Sequence, residues 1–98
     1  MVKHMIIWKL KDEISDKDAV KQEIKRELEA LVGRIDGLLE MHILTDALPV
    51  CTGDVMMDST FESAEALASY QANPLHQAVA VGVVRPNVAQ RLSFDFEV

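Results

Sequence analysis

Residues 2–11, VKHMIIWKLK, alternate as a strand does, yet neither alternating set is polar. β-Branched and aromatic residues reinforce the strand reading. One face bears His4, Ile6, Trp8 and Leu10, and the other bears Lys3, Met5, Ile7 and Lys9. Helices of a small domain can cover only one side of a sheet, which leaves Met5 and Ile7 without a cover. A large apolar sheet face in that position is usually an interface. The segment therefore predicts a homodimer packed sheet to sheet through an isologous two-fold contact. A monomer with a modestly apolar surface is the alternative.

The remaining segments specify what accompanies that strand. Ser15 is expected to open a helix, with Asp16 and Asp18 in the first turn where the macrodipole favours acids. Val20, Ile24, Leu28, Leu31 and Ile35 form one apolar stripe, and Gly33 and Gly37 mark its end. LLEMHILTD (38–46) reads as a second strand with Leu39, Met41 and Ile43 on one face, and DVMMDSTF (54–61) as a third. Ser63 can cap a short helix ending near Tyr70, and Asn73-Pro74 breaks it and starts another running to about Val83. Arg85-Pro86 perturbs the end of that helix. RLSFDFEV (91–98) closes the chain in strict alternation. The order β-α-β-β-α-β is the split βαβ, or ferredoxin-like, arrangement of the α+β class. Right-handed crossovers put the helices on one face of a four-stranded antiparallel sheet.

Composition narrows the function. The chain has 98 residues, read as a single domain over 1–98, and a net charge of −6. Nucleic-acid binding needs clustered basic residues, whereas Lys17, Lys21, Lys25 and Arg26 alternate with acids as a solvated helix face does. No apolar run approaches the roughly 20 residues of a membrane span, and MVKHMIIWKLKDE breaks into charge too early for a secretory signal. Cys51 is the only cysteine and has no internal disulfide partner. These features predict a cytoplasmic protein.

Four polar residues could carry chemistry. With Asn73 as N-cap and Pro74 at N1, His76 falls at N3, where the helix N-terminus disfavours a positive charge. A neutral imidazole is what a general base requires, although a half-exposed histidine of a capping turn fits the same pattern. His4 ends an otherwise apolar strand face, as a satisfied core-edge residue or as a ligand contact. Tyr70 precedes His76 by six residues, and Asp95 points away from Phe94 and Phe96. There is no HxxxH, HxH or CxxC spacing for a metal, and no dinucleotide or phosphate loop. Any reaction is expected to run without a cofactor.

VKHMIIWKLKDEIS, TFESAEALASYQANPLH and RLSFDFEV together resemble the stress-responsive A/B barrel domain family, over essentially the whole chain. That resemblance implies a ferredoxin-like protomer in a dimeric α+β barrel. Most members of that family have no established activity, but a plant branch similar to this sequence includes a polyketide cyclase of the olivetolic acid type, which performs a cofactor-free aldol condensation. By that resemblance His4, Tyr70, His76 and Asp95 are the catalytic set, with Asp95 supporting His76. Ile6, Trp8, Ile24, Leu28 and Met56 are then the pocket-lining residues. The sequence departs from that branch where aliphatic Ile24 and Leu28 replace pocket aromatics, and where Met56 replaces a third histidine. Three readings follow: a dimeric binder of a small apolar or carbonyl-containing ligand, a cofactor-independent cyclase, lyase or isomerase, and a purely structural oligomer.

Overall fold

A computed structural model describes residues 1–98. Its elements are β1 (Val2–Leu10), α1 (Lys17–Glu29), β2 (Leu38–Leu44), β3 (Val55–Phe61), α2 (Ala64–Ala72), α3 (Pro74–Val79) and β4 (Val88–Glu97). The four strands form one antiparallel sheet in the order β2-β3-β1-β4. This is the expected α+β, ferredoxin-like fold. The doubly apolar segment is an inner strand, with β3 on one side and β4 on the other.

Each helix starts where a side chain can accept an otherwise orphaned amide. For α1 the cap is Asp16, which accepts from the Ala19 amide at 3.0 Å, so the helix begins one residue later than Ser15 would allow. Ser63 caps α2 through the Ala66 amide at 3.1 Å. Asn73 caps α3 through the Leu75 amide at 2.8 Å, with Pro74 at the first helical position. The chain does not stop at Val83. It widens into a π-type turn over Ala80–Val84, tightens into a 3₁₀ turn over Arg85–Asn87, and enters β4 at Val88, three residues before the expected start.

The core lies between the helices and one sheet face. Ile24, Leu28, Leu31 and Ile35 are buried there, although α1 itself ends at Glu29. Val55, Met57, Ser59 and Phe61 alternate inward from β3. In β2 a register shift between Leu38 and Glu40 turns Leu38 inward and leaves Leu39 exposed, so Leu39 does not share the Met41–Ile43 face. Glu29 ties α1 to this strand, its Oε2 accepting from the Ile43 amide and from Lys25 Nζ, each at 2.9 Å. Burial opposes the charge on Glu29, but these two donors outweigh it and hold the carboxyl below its ordinary range.

The opposite sheet face has no cover in the protomer. Cross-strand pairing aligns Leu44, Met56, Ile7 and Leu92 in a row across all four strands, and sets Phe94 beside Met5. Ile7, Leu44, Leu92, Phe94 and Phe96 are exposed. Met56 thus belongs to this outer face and not to the pocket expected from the sequence. Strand alternation gives the inward position to Met57. The same alternation sends the apolar set of β4 outward and its polar set, Arg91, Ser93 and Asp95, to the helix side opposite Trp8, Ile6 and His4.

Two glycines separate backbone strain from packing. Gly33 and Gly37 have nearly equal positive φ, 86° and 85°. A Cβ at Gly33 would meet nothing within 4 Å, whereas one at Gly37 would lie 2.6 Å from the Ala66 Cβ. Gly33→Ala should therefore lose about 1 kcal/mol from the left-handed backbone alone. Gly37→Ala should lose that and a further ~1–3 kcal/mol for the clash. Urea midpoints of the two variants measure the difference, and equal losses would remove the close approach of α2 to the Gly37 turn.

Candidate functional site

The site is built where the break between α2 and α3 faces the inner surface of β1. Tyr70 lies in the last turns of α2, 1% exposed, and its hydroxyl has no hydrogen-bond partner. Burial raises its pKa well above the ordinary phenol value. The Tyr70 ring packs on Phe61, with centroids 4.9 Å apart, and on His76 at 4.2 Å with a tilt of 39°. The Asn73 cap and Pro74 make this contact possible by restarting the helix, so that the first turn of α3 folds back towards Tyr70.

His76 is half-buried at N3 of α3. Its Nδ1 lies 3.3 Å from the Gln71 carbonyl oxygen, which can only accept, so Nδ1 carries the proton. The neutral ring then has its lone pair on Nε2. Burial is the main cause lowering the His76 pKa; the Gln71 contact opposes it, and the charges of His4, Arg85 and Arg91 add to it. The shift is in the direction expected at a helix start, towards the neutral ring, and burial is its leading cause.

His4 is 2% exposed on β1. Its Nδ1 is hydrogen-bonded to Asp95 Oδ1, directly opposite on β4, and Ser59 Oγ donates to its backbone carbonyl at 2.6 Å. Asp95 therefore supports His4 and not His76. Register decides this, because the β1–β4 pairing puts residues 4 and 95 face to face, while the His76 ring is anchored to Gln71.

A cavity of about 540 Å³ joins these groups, within the range of roughly 300–1,000 Å³ usual for small-molecule sites. His4, Ile6, Trp8 and Met57 line it from the sheet, and Leu28, Tyr70 and His76 from the helices. His4, Tyr70 and His76 thus share one cavity, with Asp95 behind His4. Ile24 is fully buried in the core and Met56 is on the other sheet face, so neither lines it. The sequence reading missed Gln71, Gln77, Arg85 and Arg91, which also border the cavity. The parity of β4 was a usable signal for Arg91, since it shares a face with Asp95. No group of three or more His, Cys, Asp or Glu side chains is placed to hold a metal ion, and no helix is long and apolar enough to cross a membrane.

Comparison with known proteins agrees with this architecture. A dimeric ferredoxin-like protein of unknown function from Bacteroides fragilis superposes with a TM-score of 0.89 at 24% identity, covering 99% of this chain and 95% of that one. A protein of Arabidopsis thaliana gives 0.82 at 27% identity, covering 100% and 95%. A hydroxynitrile lyase from Passiflora edulis gives 0.81 at 18% identity, covering 99% and 92%. No curated protein sequence matches the chain significantly. The model of the stress responsive A/B barrel domain matches residues 2–98. With that match over nearly its whole length, and a fold shared with dimeric ferredoxin-like proteins, the chain belongs to the stress responsive A/B barrel domain family.

Proposed function

We propose that this protein is a homodimer that takes up a small, largely apolar molecule bearing a carbonyl group in the cavity between its helices and sheet. The observation that carries the reading is the Tyr70 hydroxyl, buried in the cavity wall without a partner. A buried donor left unsatisfied costs about 1–3 kcal/mol, and a ligand carbonyl oxygen would accept from it once the wall shifts to uncover the hydroxyl, which the structure closes off from solvent. Apolar neighbours such as Ile6, Leu28 and Met57 suit the rest of such a ligand. The uncovered apolar sheet face supports the homodimer, as do similar structures described as dimeric.

Tyr70→Phe tests the binding mode. It should leave the fold as stable or up to ~1 kcal/mol more stable, because it removes the unpaired hydroxyl. It should weaken aromatic ketones about tenfold in a thermal-shift titration while leaving the matching hydrocarbons unchanged. Equal ketone affinity in the two proteins sinks the reading.

A catalytic version is favoured by one further observation, the neutral His76 ring stacked on Tyr70 with Nε2 free of any partner. In it His76 removes a proton beside the ligand carbonyl, and the Tyr70 hydroxyl donates to the enolate oxygen as charge develops there. Positioned acid–base groups of this kind contribute ~10²–10⁴-fold. Exchange of the α-hydrogens of a bound ketone in D₂O, followed by NMR, should slow by that factor in His76→Asn. The folded state resists protonation of His76, so the rate should persist below the ordinary histidine pKa of about 6.5 and fall only at lower pH. No exchange in the unaltered protein would reduce the function to binding.

A further inference from the structure

Acidic residues outnumber basic ones in this chain, 16 to 10, yet the cavity has the opposite balance. Its lining includes Arg85, Arg91, His4 and His76 and not one aspartate or glutamate. The carboxylate behind it, Asp95, is engaged by His4. Arg85 and Arg91 are both exposed at the rim, and neither forms an ion pair within the chain. They come from different elements. Arg85 opens the 3₁₀ turn that follows α3, and Arg91 stands on β4 opposite Trp8, on the inner sheet face. An unpaired guanidinium is a fork of donors suited to a planar carboxylate.

We propose that the ligand of this cavity is an apolar oxo acid, whose carboxylate is held at the rim by Arg85 and Arg91 while its carbonyl oxygen reaches the Tyr70 hydroxyl. This deepens the binding reading above and rests on it. The cavity then has two polar groups to offer, the orphan hydroxyl just behind its wall and the two free cations at the mouth, with Leu28, Trp8 and Val84 along the apolar side. The same two cations contribute, after burial and His4, to keeping His76 uncharged. A carboxylate seated between them would reduce that effect. An anionic ligand is also the kind that a chain of net charge −6 would repel unless cations were concentrated at the point of entry.

Benzoylpropionate and its methyl ester test the idea, because they share the ketone and differ in the charge. Isothermal titration should show the acid binding at least tenfold tighter than the ester at low salt. That preference should shrink as ionic strength rises. Arg85→Gln with Arg91→Gln should abolish it while the ester binds as before, which also reports that the cavity is still folded. Acid and ester binding equally well to the unaltered protein would overturn the carboxylate site and leave the cavity reading intact. A preference that survives the double substitution would overturn the assignment to these arginines. If neither compound binds, both readings fall together.

Discussion

In the proposed sheet-to-sheet dimer, Ile7→Asp should break the contact and leave a folded monomer of 10.9 kDa. Ile7 is 43% exposed in the protomer and sits within the row Leu44–Met56–Ile7–Leu92 that crosses the whole sheet. Full burial of such side chains contributes about 1.5–3 kcal/mol each. A two-fold contact presents the same row from both partners, so one substitution places two carboxylates in the interface. Leaving a charge buried and unpaired there costs several kcal/mol each time, enough to exceed the stability of a small interface. The helix-side core contains none of this surface, so far-UV circular dichroism should be retained. Sedimentation at micromolar concentration is the measurement. A single 10.9 kDa species for the unaltered protein, or an unchanged mass for the variant, would remove the sheet-to-sheet dimer.

The second large effect is expected at Phe61, the fully buried residue that ends β3. Its ring lies 4.9 Å from that of Tyr70 and 6.2 Å from that of His4 in an edge-on arrangement. Phe61→Ala should lose about 3–5 kcal/mol through lost burial and the cavity left behind. That is a large share of the ~5–15 kcal/mol typical of a whole domain, and it lowers Tm by more than about 12 °C. Phe61→Leu keeps most of the volume and should lose only about 1–2 kcal/mol. It should still weaken the proposed ketone binding, because Tyr70 loses the ring that holds it against His76. Retained ketone affinity in Phe61→Leu would limit Phe61 to a core role. Differential scanning calorimetry and ligand titration on the same two variants separate the effects.

Much of the local structure was legible because it depends on neighbours in sequence. Ser63, Asn73 and Pro74 cap or start their helices as read, and the placement of His76 at N3 follows from Asn73 alone. The cap of α1 shifted by one residue, from Ser15 to Asp16, because either side chain can accept an amide and only the helix register selects between them. Strand parity correctly separated Ile6 and Trp8 from Met5 and Ile7. It could not say that Met56 faces outward, since Met56 and Met57 are both apolar and either phase of β3 reads as reasonable. Nor could it reveal the register shift that exposes Leu39.

The sequence by itself determined the order of elements, the breaks between them and the doubly apolar character of β1, because alternation, capping and helical spacing are short-range consequences of residue type. The pairing of His4 with Asp95, across 91 positions of chain, was decided only by the tertiary structure. So were the seating of Tyr70 against His76 inside an open cavity and the gathering of Arg85 and Arg91 at its rim. Those arrangements depend on strand register and on how closely α2 and α3 approach the sheet. Both are set by packing between residues distant in the chain, about which local pattern carries no information.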